Sequence, residues 1–583
     1  MEELKMSYDL APTTKINDYK IALSGYSKIS EFLNKKVNEN KKKNIILVIE
    51  CYPATNLKEL REGLIDHLSP QNIINSDENA MDSKDLNEKI KDTVTNDRVF
   101  GVMSHYQLKD FFPNVENVSK KIETLDGLTI VYGTGATLLA PNSDILIYAD
   151  MARWEIQLRY RAGLPNWRQD NSEEDPLRKF KRGYFFEWRM ADRLKKEVLP
   201  VSDFVMDTNM KDDPKLISKE DLLKSLKKLT KQPYRTVPYF DASVWGGQWM
   251  KNHFNLPDNG KNYGWAFDGV PEENSLYFKF GDIRFEIPAM NLMLFYPKQI
   301  LGTRVFSRFG ADFPIRFDYL DTMHGGNLSL QIHPLTEYIK NKYGMSYTQD
   351  ESYYILESTK NSSVYLGLKS NIDKKQMEKD FVAAQKGEIR FPDEKYINNF
   401  PAKKHDHFLI PAGTIHCGGP DTVVLEVSAT PYIFTFKMWD WGRIGLDGRP
   451  RPLHVREGLD NLQYQRDTQW AQDHLINCFK DIREDNHEKL EETGLHSELE
   501  FIETERHWIK DVGNFNTHKS VNMLNMVEGE KAIVQSPDNK FEPYEIHFGE
   551  TFIVPSGIEN YQIKNESKSD KIAIIQAFVR DTK

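Results

Sequence analysis

Four side chains in the second half of the chain have the types and the spacing of ligands for a divalent metal ion. In the stretch LSLQIHP, Gln331 and His333 are two residues apart, so on a strand both side chains point to the same face. Glu351 precedes an aromatic strand, and His416 follows the turn PAGT. Two imidazoles, a carboxylate and an amide oxygen suit a catalytic Zn²⁺ site, and Mn²⁺, Fe²⁺ or Co²⁺ would also be accepted. For either histidine taken alone, a buried imidazole that only forms hydrogen bonds is the commoner alternative.

The sequence around these four residues predicts a β-rich catalytic unit. From about residue 233 it is rich in Pro, Gly and aromatic residues, with short strand patterns and few long helices. The segments HFLIPAGTIHC (407–417) and TFIVPSGIENY (551–561) share a strand that ends in Pro, a small residue and Gly before a new strand. This repeat predicts two jelly-roll barrels. The second copy, within residues 515–583, has no His-x-His pair, so we expect it to bind no metal and to cover an edge of the first barrel.

Residues 1–230 show a different pattern. Short apolar runs that begin at residues 44, 98, 128 and 144 indicate buried strands of a parallel sheet, because both faces are apolar. Helical patterns between and after them predict an α/β layer arrangement. We therefore predict a multidomain protein with an α/β domain over 1–230, a metal-binding barrel over 233–460, and a helical connector with a second, metal-free barrel over 461–583.

Composition and charge narrow the possible partners and compartments. The chain of 583 residues is too long for one hydrophobic core, and its net charge of −10 is spread along the sequence, which argues against nucleic-acid binding. Its three cysteines cannot form a disulfide framework, so a reducing cytoplasm is expected. The sequence has no apolar signal core and no stretch of membrane-spanning length, so we expect a soluble protein. The oligomeric state is not fixed by the sequence.

The motifs around the predicted ligands resemble those of class I mannose-6-phosphate isomerases, a family of the cupin superfamily, over about residues 233–583. The family pattern of Ser, Gln and His-Pro at alternate positions stands here as SLQIHP, and its Glu before an aromatic strand is Glu351. Its segment of Pro, small residue, Gly, Thr, any residue and His ends at His416. Its Asp-Trp-x-Arg segment is DWGR (440–443), and WGGQWM, YPKQILG and FPIRFDYLD occur in the family's order.

The resemblance implies an all-β double jelly-roll unit with helical insertions and a metal-dependent interconversion of mannose 6-phosphate and fructose 6-phosphate through a cis-enediol. The metal would stabilise the developing oxyanion. Arg443 matches the family's catalytic arginine. Glu426 matches a glutamate near the site that could transfer the proton or orient a ligand. Ser329, Arg316 and Lys437 are the expected contacts of the sugar phosphate.

Two positions depart from the family pattern. The family usually has lysine where this chain has Asp318 and Gln349, and those lysines are expected to hold the sugar phosphate or to orient its hydroxyls. Arg316, Lys437 and Arg451 could replace the missing cations. Mannose 6-phosphate or fructose 6-phosphate is the predicted substrate. The alternatives are isomerisation of an unphosphorylated or differently phosphorylated sugar, and a sugar-binding regulatory protein without turnover.

Residues 1–230 resemble, over fewer motifs, a uridine-kinase-like P-loop domain. The segments DMARWEIQLRYRAG and EVLPVSDFVMDT are similar to its arginine-bearing helix and closing strand. The turn after the strand IILVIE has no Gly, however, and has Asn56 about where the phosphate-binding lysine is expected, so we predict no phosphoryl transfer. A degenerate nucleoside-kinase-like domain and an α/β domain that only packs against the barrel both fit the sequence.

Overall fold

The computed structural model describes a mixed α/β protein with several sheets over residues 7–258, 260–430, 432–493 and 500–581. The chain divides into two compact units. The α/β unit consists of Thr13–Lys228 and Ser275–Phe295, and the β-rich unit consists of Met1–Pro12, Leu229–Asn274 and Tyr296–Lys583. In the described ranges, no helix is long and apolar enough to cross a membrane.

The strands are short, and most belong to the β-rich unit. In chain order, β1 to β31 are Thr13–Ile16, Ala22–Ser24, Ile45–Cys51, Asn72–Asn75, Leu128–Gly133, Ile145–Asp150, Phe204–Asp207, Lys215–Ser218, Tyr239–Asp241, Trp265–Gly269, Ser275–Phe280, Ile283–Pro288, Arg316–Asp321, Leu330–Ile332, Glu351–Ser358, Ser363–Leu368, Ile397–Pro401, His407–Ile410, His416–Gly418, Thr422–Ser428, Phe436–Trp439, Lys480–Glu484, Glu488–Glu492, Ile502–Ile509, Val512–Asn516, Asn522–Glu528, Lys531–Gln535, Tyr544–His547, Thr551–Val554, Asn560–Asn565 and Ile572–Val579.

The longer helices lie mainly in the α/β unit. In chain order, α1 to α18 are Tyr26–Glu39, Leu57–Leu60, Ser83–Val94, Val115–Glu123, Ala136–Leu139, Arg153–Arg161, Pro176–Arg182, Trp188–Val198, Lys219–Leu229, Trp249–His253, Met290–Phe295, Pro297–Leu301, Thr303–Phe309, Thr336–Tyr343, Lys374–Gln385, Asp393–Tyr396, Val455–Asn461 and Thr468–His474. Short 3-10 or π turns extend or link them at Arg61–Ile65, Asp66–Leu68, Ser76–Asn79, Leu108–Phe111, Gly183–Glu187, Leu199–Val201 and Ser556–Ile558.

A seven-stranded sheet in the order β2-β8-β7-β6-β3-β5-β4 forms the centre of the α/β unit. Strand β3 pairs in parallel with β5 and β6, β4 pairs in parallel with β5, and β6 with β7, whereas β8 runs antiparallel to β7. Strands β5 and β6 are buried along their whole length, as is typical of central strands in a parallel sheet. Apolar side chains from the central strands, including Leu47, Ile130 and Ile147, pack into the core with α1.

One of the predicted strands of this sheet is wrong. Residues 98–104 form no strand. The carboxylate of Asp97 accepts hydrogen bonds from the backbone N–H groups of Val99 and Phe100, at 2.7 and 2.8 Å, so these groups are used in a loop. The edge of the sheet is instead β4, whose sequence NIIN is too short and too polar at its ends to be recognised as an apolar run.

Strands β11 and β12 belong to the α/β unit although they follow residue 230 in the sequence. Strand β1 pairs in parallel with β11, and β11 pairs in antiparallel fashion with β12. The backbone N–H of Glu286 donates to the carboxylate of Asp207 at 2.8 Å, and the side-chain amide of Asn291 donates to Asp150 at 2.8 Å. This compact unit is therefore discontinuous in the sequence, unlike the continuous domain predicted over residues 1–230.

The described strands of the β-rich unit form four antiparallel sheets. The first sheet pair consists of a six-stranded sheet, β18-β15-β20-β13-β10-β9, and a five-stranded sheet, β17-β16-β19-β14-β21. The second sheet pair consists of a six-stranded sheet, β22-β23-β24-β31-β26-β29, and a four-stranded sheet, β25-β30-β27-β28. The two repeated sequence segments each form a strand, a turn and a strand, one in each sheet pair.

Candidate metal centre and its cavity

The four predicted ligands come from three strands of the first sheet pair. Gln331 lies on β14, and His333 follows directly after this strand. The Cα position of Gln331 is paired with that of His416 on β19. Glu351 begins β15, a strand of the other sheet of the pair. The cluster therefore forms where side chains of the two sheets meet.

The turn before His416 is tied directly to His333. Gly413 has φ of +86°, and its N–H donates to the carbonyl of His333 at 2.8 Å. A Cβ at this position would lie 2.8 Å from the carbonyl oxygen of Asn461, so the turn requires glycine on both conformational and steric grounds. The short sequence PAGT thus fixes the distance between the two histidines.

The ligand atoms of the cluster lie close together and are buried. The Oε2 atom of Glu351 is 3.0 Å from Nε2 of His333, and its Oε1 atom is 2.7 Å from Nε2 of His416. The amide nitrogen of Gln331 is 3.2 Å from the same Nε2 atom of His416. One donor atom from each of the two histidines and from Glu351 lies within 4.8 Å of the others. The exposed fraction of His333, Glu351 and His416 is 1% or less.

The hydrogen bonds of the two imidazoles determine which nitrogen faces the cluster. The Nδ1 atom of His333 is 2.8 Å from the carbonyl of Phe434, and that of His416 is 2.9 Å from the carbonyl of Thr414. A carbonyl oxygen only accepts, so each Nδ1 carries the hydrogen and each neutral imidazole directs the Nε2 lone pair at Glu351. These lone pairs face the oxygens of a carboxylate, which are also acceptors. The arrangement requires a cation between them, either a metal ion or added protons.

The same electrostatics shift the pKa values of the cluster. Burial alone lowers the pKa of His333, but the negative charge of Glu351 outweighs burial and raises that pKa overall. Burial alone raises the pKa of Glu351, but the two imidazoles hold it well below its usual range. Within the described protein, Nε2 of His333 and Oε1 of Glu351 have no hydrogen-bond partner. Nitrogen and oxygen donors in this state are what a divalent metal ion binds.

A small cavity opens beside the cluster. Trp245 and Trp265 line it, with ring centroids 5.2 Å apart, and Gln331 is the metal-ligand candidate that reaches it. The other lining residues are Asp318, Leu328, Ser329, Gln349, Glu426, Ile433, Thr435, Lys437 and Arg451. Sequence reasoning had not assigned the two tryptophans, although WGGQWM was recognised as a motif. Its lining offers carboxylate, amide, hydroxyl and cationic groups next to the cluster.

Two carboxylates of the cavity, Asp318 and Glu426, are direct cross-strand neighbours on β13 and β20. The amide nitrogen of Gln349 donates to Glu351 at 3.0 Å and to Glu426 at 3.3 Å, so it bridges a candidate ligand and a candidate base. Burial raises the pKa of Asp318 to about 6 although Arg316 opposes this, and burial together with the charge of Asp318 raises the pKa of Glu426 well above its usual value. One of these carboxyl groups can therefore hold a proton near neutral pH.

Arg316, a predicted contact of the sugar phosphate, is engaged within the protein. Its guanidinium donates to the carboxylate of Asp318 at 3.2 Å and lies 3.8 Å from the carboxylate of Glu273. Among the described residues that line the cavity, Ser329 and Lys437 are present, whereas Arg316 is not. The position of Asp318 was recognised from the sequence as a departure, but its ion pair with Arg316 was not.

Arg443, the predicted catalytic arginine, is part of a network around Asp440. Its guanidinium donates to the carboxylate of Asp440 at 2.6 Å and to the carbonyl of Asn327 at 2.5 Å. The hydroxyl of Ser329 donates to Asp440 at 2.8 Å, and Arg451 donates to both Ser329 and Asp440, at 2.9 and 3.2 Å. Of the two arginines, it is Arg451 that is among the described residues lining the cavity.

The first sheet pair thus presents a buried cluster of histidine and glutamate, suited to a metal ion, next to a polar cavity with aromatic residues. For the α/β unit, a family model described as a domain of unknown function, DUF8485, matches residues 25–231. That description assigns no activity.

The relatives that match a larger share of the chain have a common name. Mannose-6-phosphate isomerase ManA of Bacillus subtilis (strain 168) is 19% identical over 344 residues, which are 58% of this chain and 97% of that protein. Mannose-6-phosphate isomerase of Streptococcus mutans is 25% identical over 223 residues, 38% of this chain and 64% of that protein. The crystal structure of the Bacillus subtilis mannose 6-phosphate isomerase matches with a TM-score of 0.48 and 17% identity, over 59% of this chain and 99% of that chain. These two relatives, which match 58% and 38% of this chain, are therefore both named mannose-6-phosphate isomerases, at 19% and 25% identity.

Proposed function

We propose that the chain is a metal-dependent aldose–ketose isomerase that interconverts mannose 6-phosphate and fructose 6-phosphate. In this proposal the two sheet pairs are the two barrels of a double jelly-roll cupin, and the ion, Zn²⁺ or another divalent metal, is held by Gln331, His333, Glu351 and His416. The observation that carries the proposal is the pair of imidazole lone pairs that converge on the buried carboxylate of Glu351. The substrate is proposed from the names of the relatives.

The isomerisation moves a proton between C1 and C2 of the sugar. When bound, the metal supplies positive charge that stabilises the oxyanion developing on the substrate. Glu426 is our candidate for the proton carrier, because it lines the cavity and its buried carboxyl has a raised pKa. Gln349 holds the carboxylates of Glu426 and Glu351 in a fixed relation through its amide. If Glu426 only orients the ligand Glu351, the neighbouring Asp318 is the other carboxyl available to the substrate.

The cavity also suggests how the sugar is held. Ser329 and Lys437 line it and are proposed to contact the substrate. Because the guanidinium of Arg316 donates a hydrogen bond to Asp318, we assign Arg316 the role of orienting that carboxylate. A direct contact between Arg316 and the sugar phosphate stays a prediction. The catalytic role of Arg443 likewise stays a prediction: Arg443→Lys should keep the metal and lower kcat by roughly a hundredfold, and loss of metal from this variant would contradict that role.

A second candidate function is isomerisation of an unphosphorylated or differently phosphorylated sugar. The observation that favours it is the pair of cavity carboxylates, Asp318 and Glu426, one of which stands where the family has a lysine. Carboxylates accept hydrogen bonds from sugar hydroxyls and repel a phosphate. The indole rings of Trp245 and Trp265 offer apolar surface to the C–H face of a sugar ring.

A coupled isomerase assay over a panel of sugars tests both functions. We expect turnover of mannose 6-phosphate and fructose 6-phosphate by metal-loaded protein, loss of turnover on chelation, and recovery when Zn²⁺ or Mn²⁺ is returned. Turnover of mannose but not of its 6-phosphate would favour the second candidate. Metal and sugar binding without turnover of any sugar would leave a regulatory binding protein.

For the α/β unit we propose that phosphoryl transfer is absent. The carboxylate of Glu50, at the end of β3, accepts the backbone N–H groups of Gly135 and Thr137 at 2.6 and 2.8 Å. An internal anion therefore uses amides that could bind a phosphate. The guanidinium of Arg159 donates to the carbonyls of Ala54 and Thr208, at 3.0 and 2.9 Å. These two residues follow the carboxyl ends of β3 and β7.

The partners and the compartment follow from the same proposal. The partner of the site is a small sugar phosphate, with neither nucleic acid nor a membrane involved. Cys51, Cys417 and Cys478 are free thiols, and the reducing cytoplasm stays a prediction.

A further inference from the structure

Three cationic side chains form one row across the small three-stranded sheet of the α/β unit. Lys279 on β11 is paired with Lys15 on β1 and with Arg284 on β12. Side chains paired in this way lie on the same face of a sheet, on strands that are about 4.8 Å apart. Lys15 and Arg284 are exposed and Lys279 is half-buried, so this face is open to solvent. We call these three residues the cationic row.

The cationic row places like charges directly opposite one another, which destabilises a sheet. Over the part of the chain that the structure describes, none of its three side chains forms an ion pair with a carboxylate. The guanidinium of Arg284 lies 4.4 Å from the ring centroid of Tyr277, a contact that holds its charge in place without neutralising it. The whole chain has a net charge of −10, so the row does not reflect a general excess of basic residues. An anionic ligand would offset this local repulsion.

The acidic residues near the cationic row leave it with a net positive charge. Glu286 lies on the same face of β12, but burial together with the charge of Asp207 raises its pKa to about 7, so it is only partly ionised at neutral pH. Asp18 forms an ion pair with Lys224. Asp282, in the turn between β11 and β12, is exposed. One full negative charge is therefore set against three positive charges.

An open groove begins at the cationic row. The residues that line it are Lys15, Ile16, Asn17, Tyr19, Lys279 and Gly281. Gly281 has φ of +59°, and a Cβ there would lie 2.8 Å from the hydroxyl oxygen of Tyr19, so glycine allows the tyrosine to lie close to this turn. The ring of Tyr19 packs edge-on against Phe280, with centroids 5.6 Å apart, and 38% of the residue stays exposed. The groove thus places an aromatic ring and the amide of Asn17 beside two of the three cations.

We propose that the cationic row is a binding site for an oligophosphate, a chain of three or more linked phosphoryl groups. Guanidinium and ammonium groups both donate charge-assisted hydrogen bonds to phosphoryl oxygens. The outer strands of the row are about 10 Å apart, so a single phosphate could reach two of the cations, whereas an elongated anion could reach all three. Two sources share this chemistry: free inorganic polyphosphate, and a nucleoside triphosphate whose base would stack on Tyr19. The proposal is independent of the isomerase activity.

The first test measures binding of inorganic tripolyphosphate to the full chain by calorimetry at low salt, where attraction between charges is least screened. Lys279→Glu should raise the dissociation constant at least about tenfold, because it replaces the central donor with a repelling charge. The matched control is Lys109→Glu, which makes the same change at an exposed lysine of the same unit and should bind as the unmodified chain does. Chelation of a metal by the probe affects both variants alike. Equal binding by the two variants would overturn the proposal.

Thermal unfolding separates a lost ligand from a damaged fold. Tripolyphosphate should raise the unfolding temperature of the unmodified chain, because it binds the folded row. Lys279→Met removes the central charge and relieves the repulsion, so without ligand it should unfold at the same temperature as the unmodified chain or at a higher one. With ligand, its unfolding temperature should not change. An increase in Lys279→Met as large as in the unmodified chain would contradict the site.

A comparison of ATP, tripolyphosphate and longer polyphosphate chains distinguishes the two sources. Tighter binding of ATP than of tripolyphosphate, with the difference lost in Tyr19→Ala, would identify a nucleotide. Affinity that increases with chain length and is unchanged in Tyr19→Ala would identify free polyphosphate. Binding of polyglutamate without binding of any of the phosphate compounds would refute an oligophosphate site and indicate an acidic protein segment.

Discussion

Each sheet pair of the β-rich unit encloses a buried cluster of histidine and glutamate, and the two clusters differ in how their nitrogens are satisfied. In the second sheet pair, Nδ1 of His507 is 2.5 Å from the carboxylate of Glu488, and Nε2 is 3.0 Å from the amide oxygen of Gln576. Both nitrogens face acceptors, so a single protonated imidazole satisfies the geometry. In the first sheet pair, two imidazoles that already donate to carbonyls share the one carboxylate of Glu351.

The charge balance explains why the difference matters. Protonating both His333 and His416 would place two cations, with ring centroids 5.0 Å apart, around one carboxylate in a buried site. A single divalent ion uses both lone pairs and the carboxylate at once. In the second cluster, the side-chain amide of Gln576 donates to the amide oxygen of Asn522, which also accepts from the hydroxyl of Tyr561. The polar groups of this cluster are therefore linked in one hydrogen-bond network. The same residue types therefore suit a metal in one place and a proton in the other.

The largest expected effect is the loss of metal from the first cluster. His416→Ala should remove the bound ion and lower turnover by at least about a thousandfold, which corresponds to about 4 kcal/mol of barrier. His507→Gln is the matched variant in the second cluster and should retain the metal and most of the turnover. Metal analysis and the isomerase assay check both. Metal retained by His416→Ala, or lost from His507→Gln, would reverse the comparison.

The next effect is on thermal stability. The proposed ion would bind only the folded first cluster, so a divalent metal at about a thousand times its dissociation constant should stabilise the native chain by about 4 kcal/mol. The unfolding temperature should therefore rise with metal concentration for the unmodified chain and for His507→Gln, and stay constant for His416→Ala. A metal response that survives in His416→Ala would point to another ion site.

The second cluster should show its own dependence on pH. Burial alone raises the pKa of Glu505, but the imidazoles of His507 and His518, 3.6 and 3.8 Å from its carboxylate, bring it down to about 2. The stabilisation is fully present above the ordinary pKa of about 4.5 and is lost as pH falls from there toward about 2, by roughly 3 kcal/mol in total. Thermal unfolding from pH 2 to 6 should show this loss in the unmodified chain and a flatter profile in Glu505→Gln.

The histidine of the same cluster acts in the opposite direction. Burial alone lowers the pKa of His507, but the carboxylates of Glu488 and Glu505 raise it overall. Its contribution is complete below the ordinary histidine pKa of about 6.5 and is lost as pH rises through the raised folded value. His507→Gln should remove this alkaline limb, whereas an unchanged limb would mean that other groups produce it.

The smallest expected effect concerns the α/β unit, for which we predict no phosphoryl transfer from ATP. Incubation of the full chain with ATP, Mg²⁺ and nucleosides or sugars should give no phosphorylated product above background, because the turn after β3 lacks both the glycines and the lysine that phosphoryl transfer requires. The measurement is product formation followed by chromatography. Mg²⁺-dependent ATP turnover would make the protein bifunctional.

The parts of the site that the sequence predicted depend on local spacing. Gln331 and His333 follow from the two-residue period of a strand, and His416 from a turn that needs glycine. The bridge from Gln349 to Glu426 depends on how β15 and β13 flank β20, which involves residues far apart in the sequence. The ion pair of Arg316 and Asp318 could not be predicted from the sequence either, because side chains two residues apart on a strand have many other possible partners.

The fold was predictable to a similar depth. Long apolar runs identified the central strands of the parallel sheet, but the polar edge strand β4 was missed and residues 98–104 were assigned a strand wrongly. The contribution of β11 and β12 to the α/β unit could not be read from the sequence, since amphipathic strands give no information about which sheet they join.

The discontinuous α/β unit sets an order of events on the ribosome. The last part of this unit, Ser275–Phe295, is synthesised only after an intervening stretch that belongs to the β-rich unit. At about 5 to 20 residues per second, the interval between Lys228 and Phe295 lasts roughly 3 to 13 seconds. During that time Asp150 lacks the amide of Asn291, and Asp207 lacks the N–H of Glu286. Nascent chains in this interval are therefore expected to depend on chaperones. A gene split at residue 230 would place strands of one compact unit on two different chains.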